Sequence, residues 1–417
     1  MITSLNILYS KCADLLSVRQ RFSHHPTDKV LIQVFTGQVE KEKVEQLCQD
    51  LKFLFPGVSF VGTTTAGEIL GKTTLESTVV VNFSFFETTT VKTVLVDRYH
   101  DLAAAGAALG QRLSDPMPKA IIMFGCSMRE GGQKIDASPF LAALHRTLPQ
   151  TVIAGGQAGD NGHGVVSYVF TEQGIVKHGA AAAALSGDRL CAHSSYTLSW
   201  VPIGKKFTIT EARGPRIYSV DGRSPLELYR HYLGPEVVEG LPLSAADFPF
   251  MLERDGITVA AHAIGVNDDG SFNFIYTFRP REQVQFGFCH AGLLGSSTQQ
   301  MFDELRQHPT QATFIYSCVS RKWILGKAIH AEITPIASLA TTAGFFAYGE
   351  YFTYPNRKCL LLSQTMTALT LAEVDKHPNS LSCTRFEPAI TEAEAKQLKT
   401  LKVLHRLVET SAKEIEA

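Results

Sequence analysis

The sequence predicts an α/β to α+β protein of two domains, with mixed, largely buried β-sheets flanked by helices. Three observations carry this. Compact apolar runs alternate with helix-length amphipathic stretches, beginning with Lys29–Phe35, Glu40–Leu54 and Val58–Gly62, the order of a strand–helix–strand unit. At 417 residues the chain is long for one core. Its late apolar runs end on polar groups, as strands do when they open on a pocket: Ile315-Tyr-Ser-Cys318-Val-Ser-Arg321, Ala343-Gly-Phe-Phe-Ala-Tyr-Gly-Glu350 and Cys359-Leu-Leu-Leu-Ser-Gln-Thr-Met366.

Residues 1–28 read as a short helical preface that breaks at Ser23-His-His-Pro26. In Glu40–Leu54 the stripe Val44, Leu47, Leu51 and Leu54 gives helical periodicity, stopped by Pro56-Gly57. β-branched runs at 77–86 and 88–96 predict two strands, followed by an alanine-rich helix over 100–113, a strand at Ala120–Phe124, a helix over 139–148 and a strand at 151–154. Val165–Phe170 and Ile175–Leu185 read as a hairpin around Glu172-Gln-Gly174, with strands at Phe207–Ala212 and Ile217–Val220 beyond it. Composition then shifts, placing a domain boundary near residue 224. The second domain (224–373) opens with the glycine-stopped helix Pro225–Gly234 and a connector over 235–256. Ile257–Val266 and Phe272–Phe278 flank the turn Asp268-Asp-Gly270, Val284–Cys289 is a strand, and 292–307 a helix. In the tail, 374–417, Leu401, Leu404, Val408, Ser411 and Ile415 repeat at three-then-four spacing. That pattern fits equally a short coiled-coil seam and an amphipathic helix packed on its own domain.

Composition excludes several classes. Hydrophobic content of 45% and charged content of 19% are those of a globular chain. A net charge of −1 without a basic block gives nucleic acid no electrostatic purchase. No apolar run spans a bilayer and no secretory pattern opens the chain, so a cytoplasmic location is expected. Eight cysteines without a CxxC pair read as buried thiols for the most part. No Ser-His-Asp, G-x-S-x-G or HExxH arrangement is present, so no enzyme is expected.

Candidate site residues cluster at strand ends. Gly62-Thr-Thr-Thr-Ala-Gly-Glu68 and Ile153-Ala-Gly-Gly-Gln-Ala-Gly-Asp160 share a pattern of strand, small residues and acid. Gly155, Gly156 and Gly159 would bring amides toward a small anion, with Asp160 as a polar anchor, and Glu68 with the three threonine hydroxyls before it would line a polar pocket. Arg321 and Lys322 flank Cys318 and favour its thiolate. Phe345 and Phe346 lead to the lone carboxylate Glu350, Cys359 opens the next strand, and His290 follows Cys289 where the chain leaves a strand.

In this order the motifs Val61–Glu68, Ala154–Asp160, Trp200-Val-Pro-Ile-Gly204, Val220-Asp-Gly222, Leu228–Gly234, Tyr316-Ser-Cys318, Gly344–Glu350 and Leu361–Thr365 resemble the FIST sensory family over roughly residues 29–373, with an N-terminal and a C-terminal FIST domain. The resemblance implies a cytoplasmic sensor of a small ligand, coupled to a histidine kinase, a cyclic-di-GMP enzyme or a chemoreceptor. It is similar to the nitric-oxide-sensing proteins of that family, which are described as binding haem. Haem b is therefore an expected cofactor, and an iron–sulfur cluster or none are the alternatives. Carried over, Cys318, Glu350 and Cys359 match the family's pattern, which makes the two thiols candidate metal ligands; no haem-ligating histidine is carried over, and His290 is a candidate metal ligand only from its place at a strand end. The pattern departs at Lys322 and Ser363, where the family has Gly and Asn. A metal-free receptor for a small metabolite such as an amino acid is the second reading, with Arg321 on a carboxylate and Glu350 or Asp160 on an amine. An enzyme using the Cys318 thiolate is the third. A homodimer is among the expected assemblies; nucleic acid and membrane are not expected partners.

Overall fold

Val30–Thr36 is apolar along nearly its whole length because it is buried on both faces, the centre of a sheet. The helix Lys41–Leu54 lays Val44, Leu47, Cys48, Leu51 and Leu54 on one face of that sheet, against Ile32, Val34, Val81 and Phe83. It ends before Gly57 (φ +78°), and Ser59–Thr64 then runs parallel to Val30–Thr36. The computed structural model describes residues 1–99, 101–128, 134–254, 256–289, 291–354, 358–375 and the single position 408, with backbone only at 291–293. The fold is α+β with mixed sheets. The tail pattern, which fits a seam and an amphipathic helix equally, lies outside the described residues apart from Val408.

Two compact units are present. The first joins Met1–Thr197, Gln300–Leu361 and the chain from Thr365; the second holds Leu198–Gln299 and the turn Leu362–Gln364.

The first unit is a threefold internal repeat. Its three sheets share one strand order: an outer strand, an antiparallel strand, two parallel strands, then a hairpin. The first runs Thr3–Leu8, Val79–Phe85, Val30–Thr36, Ser59–Thr64, with the hairpin Val169–Thr171/Gly174–Val176. The second runs Thr90–Val96, Ala180–Ser186, Ala120–Gly125, Val152–Gln157, with Glu350–Thr353/Cys359–Leu362. The third runs Leu190–Leu198, Thr365–Glu373, Ala312–Cys318, Thr341–Ala347, with Glu68–Leu70/Thr73–Leu75. Each parallel pair is joined by helix: Lys41–Leu54, Ser138–Thr147, or Val319–Leu325 with Ile329–Ala337. Every hairpin is handed to another repeat's sheet. The one that follows Ser59–Thr64 completes the third sheet, the one after Val152–Gln157 the first, and the one after Thr341–Ala347 the second. Leu198–Gln299 interrupts only the third repeat.

Register fixes which residues correspond. Val169 lies opposite Thr63, Glu350 opposite Gly156, and Glu68 opposite Phe345. The ends of the three parallel pairs then zip into a ring: Ala66 N donates to Phe346 O (2.9 Å), Gly159 N to Thr64 O (2.9 Å), and Tyr348 N to Gln157 O (3.1 Å). Inside it lies an aromatic core drawn from all three sheets. Phe345 sits 5.5 Å from Phe35, 5.5 Å from Phe124 and 5.7 Å from Tyr316 between ring centroids.

The second unit is a seven-stranded sheet around the long strand Trp200–Arg213, which pairs with Gln283–Cys289 and Arg216–Val220. Ser224 caps the helix Pro225–Leu233 through a capping box with Glu227. That helix buries Tyr229 among Phe250, Phe272 and Phe286.

Several elements differ from the sequence reading. Thr3–Leu8 is a strand, not part of a helical preface, because pairing with Val79–Phe85 gives its polar Ser4 and Asn6 a partner in Asn82. The expected long hairpin over 165–185 breaks after Val176: its short arms join the first sheet, and Ala180–Ser186 joins the second. Leu190–Leu198 is a strand the polar sequence hid, and a helix follows Cys318 directly.

Candidate functional site

Cys318 is the last residue of its strand and is buried, with Sγ 3.0 Å from the Ser320 hydroxyl. The chain turns at once into the helix Val319–Leu325, which carries Arg321 inward. Arg321 is fully buried: Nε donates to Glu332 Oε2 at 3.0 Å, and a terminal guanidinium nitrogen pairs with Glu332 Oε1. Glu332 comes from the next helix and is itself buried. This guanidinium is therefore already committed to a carboxylate of its own chain, unlike the open clamp the sequence reading gave it.

Glu350 is the second buried carboxyl here. Its Oε2 accepts from the Thr365 hydroxyl (2.7 Å) and amide (3.3 Å), while Oε1 is buried with no hydrogen-bond partner. Burial pushes its pKa up to about 8, against the opposing pull of Thr365, the Arg321 charge and the Cys318 thiol. Cys318, Arg321 and Glu350 thus do come together.

The first repeat shows what Glu350 lacks. Glu68, its counterpart, also takes two donors at Oε2, from the Thr78 amide (3.0 Å) and hydroxyl (2.6 Å), and its Oε1 accepts from the Thr65 hydroxyl as well. Burial raises its pKa too, with Thr65, Thr78 and Lys322 opposing. By register Thr65 corresponds to Ala347, which has no hydroxyl to give. Gly37 corresponds to Cys318; a Cβ at Gly37 would lie 2.7 Å from Glu68 Oε1. The third repeat therefore has a thiol where the first leaves room, and a methyl where the first has a donor. In the second repeat Val169 and Gly179 replace the Glu–Thr pair outright.

The other sequence candidates are elsewhere or otherwise engaged. Gly155 and Gly156 sit inside a strand paired on both sides, so their amides serve the sheet and not an anion. Asp160 is saturated by the amides of Gly164 (2.7 Å), Val165 (2.6 Å) and Val166 (3.0 Å) and by the Tyr348 hydroxyl, the signature of a loop organiser. Phe345 is core. Phe346 lies 5.3 Å under the Lys322 ammonium, which pairs with Glu76 (2.7 Å) and reaches Ala66 O (3.2 Å). Cys359 is not brought to Cys318. It sits by Thr353 and Tyr351, which alternation places on the opposite face of their strand from Glu350, and burial pushes its thiol up to about 12. His290 lies outside the described residues. Among the described residues no group of three or more His, Cys, Asp or Glu side chains is placed to hold a metal ion. Sequence reasoning missed Glu332, Thr365 and Ala347. Their roles appear only once the exchanged hairpin sets Glu350 against another repeat's strand.

The raised Glu350 pKa has a consequence for stability. The folded state holds this proton up to about pH 8, whereas an unfolded glutamate releases it near 4.3. The stability linked to this proton is fully present below the unfolded value and is lost as pH rises through that window. Glu350→Gln is expected to flatten the decline and to gain a few kcal/mol at pH 7.5, read as the urea midpoint against pH. A wild-type curve parallel to that of the variant would contradict a buried, protonated Glu350.

No helix among the described residues is long and apolar enough to cross a membrane. No curated protein matches the chain. Residues 30–223 match the FIST N domain and residues 225–353 the FIST C domain. FIST domains are associated with sensing small ligands in signal transduction. With both domains matched over most of its length, the chain belongs to the FIST family.

Proposed function

We propose that this protein is a metal-free sensor, without catalysis of its own, for a small polar metabolite that hydrogen-bonds to Glu350 Oε1, the oxygen left to carry the proton while Oε2 accepts from Thr365. One observation carries the reading: a buried carboxyl oxygen that no hydroxyl or amide reaches, with only the Cys318 thiol acting on the carboxyl beside Thr365 and Arg321, at a position where the first repeat supplies a hydroxyl from Thr65. An amine or hydroxyl of the ligand would fill that role, and the bound and free states would differ in what Glu350 holds. A downstream histidine kinase or cyclic-di-GMP enzyme would read that difference.

The cofactor readings find less support. An iron–sulfur cluster held by Cys318 and Cys359 needs two thiols that converge, and these two face apart. A haem needs an axial side chain. In the second unit His262 is neutral, burial holding its pKa near 4, and its Nδ1 shares a hydrogen bond with Ser363 (3.3 Å). That imidazole already serves a hydrogen bond within its own unit.

The test is a thermal-shift screen of the full chain with the amino acids and small hydroxylated metabolites, alongside an absorption spectrum of protein expressed with haem precursor and iron. A hit should raise the melting temperature in the wild type and fail in Glu350→Gln and in Ala347→Thr, where an internal hydroxyl replaces the ligand's. A hit retained by both variants would sink the proposal, as would a stoichiometric Soret band.

A further inference from the structure

The second unit enters and leaves the first through two chain segments. The outgoing one is the strand Leu190–Leu198, and the returning one is the helix Ala291–Leu305 with the loop beyond it. Two contacts within the first unit join these segments. The Ser195 hydroxyl donates to Glu304 Oε2 at 2.6 Å. On the same face of the strand, two residues earlier, the His193 imidazole stacks on that of His308, with centroids 3.5 Å apart and ring planes within 10°.

This stack tolerates one protonation state best. Two neutral rings attract through dispersion, whereas two imidazolium ions at this separation repel, and a face-to-face pair offers no shared lone-pair direction that could recruit a metal instead. Burial, then the His308 charge, holds the His193 pKa near 4. The charged groups on the surrounding elements are committed elsewhere. Glu304 takes Ser195, Asp303 pairs with Arg306 (2.8 Å), and Arg189 pairs with Asp375 (3.0 Å) and lies 3.7 Å from Glu87. Glu373, on the neighbouring strand, accepts from the Thr88 and Thr89 hydroxyls. Cys191 shares the strand. Among the described residues, each of these carboxylates has a partner other than the two rings.

We propose that the His193–His308 stack is a proton-sensitive clasp on the two segments that carry the inserted unit. With His193 neutral the clasp is closed. On acidification the second proton forces the rings apart, and the outgoing strand loosens from the returning loop.

The direction follows from linkage. A histidine whose folded pKa is depressed contributes stability above its unfolded value near 6.5, and that stability is lost as pH falls toward 4. His262 acts in the same sense, so the variants below are compared with wild type and not with zero slope. In the full chain, ring-proton NMR should place the His193 midpoint at least one pH unit below the ordinary value, and His308→Phe should move it upward. Amide exchange over 190–198 and 300–311, corrected for intrinsic rate, should accelerate several-fold between pH 7 and 5 in wild type and much less in His193→Phe, which keeps a ring without a charge. An ordinary His193 midpoint would overturn the proposal. Equal acceleration in wild type and His193→Phe would overturn it as well, and a misfolded His193→Phe leaves the wild-type and His308→Phe titrations to decide.

Discussion

Arg321→Met should cost the fold about 3–5 kcal/mol, seen as a lower urea midpoint with an unchanged slope. The substitution removes one half of a fully buried ion pair and leaves the Glu332 carboxylate without its two donors. The double variant Arg321→Met/Glu332→Leu should recover most of the loss, because burying two apolar side chains of similar volume is close to neutral where burying one unpaired charge is not. If the double variant is as unstable as the single, the pair is doing something other than satisfying its own desolvation. Arg321 also lowers the Glu350 pKa through its charge. Both variants should therefore hold the Glu350 proton to still higher pH, visible as a carboxylic C=O band that persists in more alkaline buffer.

Gly155→Ala should be comparably severe, roughly 3 kcal/mol or more. Gly155 has φ +135°, a backbone conformation that a side chain resists, and a Cβ there would fall 1.9 Å from Met123 O on the neighbouring strand. Backbone cannot swing aside as a side-chain tip can. The equivalent Gly344 of the third repeat would meet Ile315 O at the same 1.9 Å. Both glycines let a parallel strand and an exchanged hairpin approach from either side. Loss of cooperative unfolding in either alanine variant would fit this account; a midpoint shift under 1 kcal/mol would refute it.

Much of this was legible in the sequence, and the reasons for the rest are physical. Buried parallel strands announce themselves as short apolar runs, so Val30–Thr36, Ala120–Gly125 and Ala312–Cys318 could be placed. The likeness between the stretches ending in Glu68 and Asp160 was visible, and both lie at strand ends. The threefold repeat was not. The long loop before Val169 offsets the acid of the second repeat, and the inserted unit splits the third, so no constant period survives. Hairpin exchange leaves no mark on composition, since a strand's sequence does not say which neighbour it will find. The site suffered accordingly. Cys318, Arg321 and Glu350 were grouped from their positions at strand ends. Cys359 was grouped with them on the same logic, and only pleating separates it. Thr3–Leu8 and Leu190–Leu198 are mixed in polarity, and pairing rather than propensity makes them strands.

The traded hairpins have a further bearing on where this protein can be cut. A fragment ending at residue 223 contains the matched FIST N segment, yet it strips Val152–Gln157 of the strand Glu350–Thr353 and leaves Glu68–Leu70 with no Thr341–Ala347 to join. Two bare strand margins would face solvent, ready templates for stray pairing between copies. The boundary that family resemblance draws is thus not a seam along which the polypeptide comes apart: the three repeats are interlocked, and the last of them must be synthesised before the first is whole.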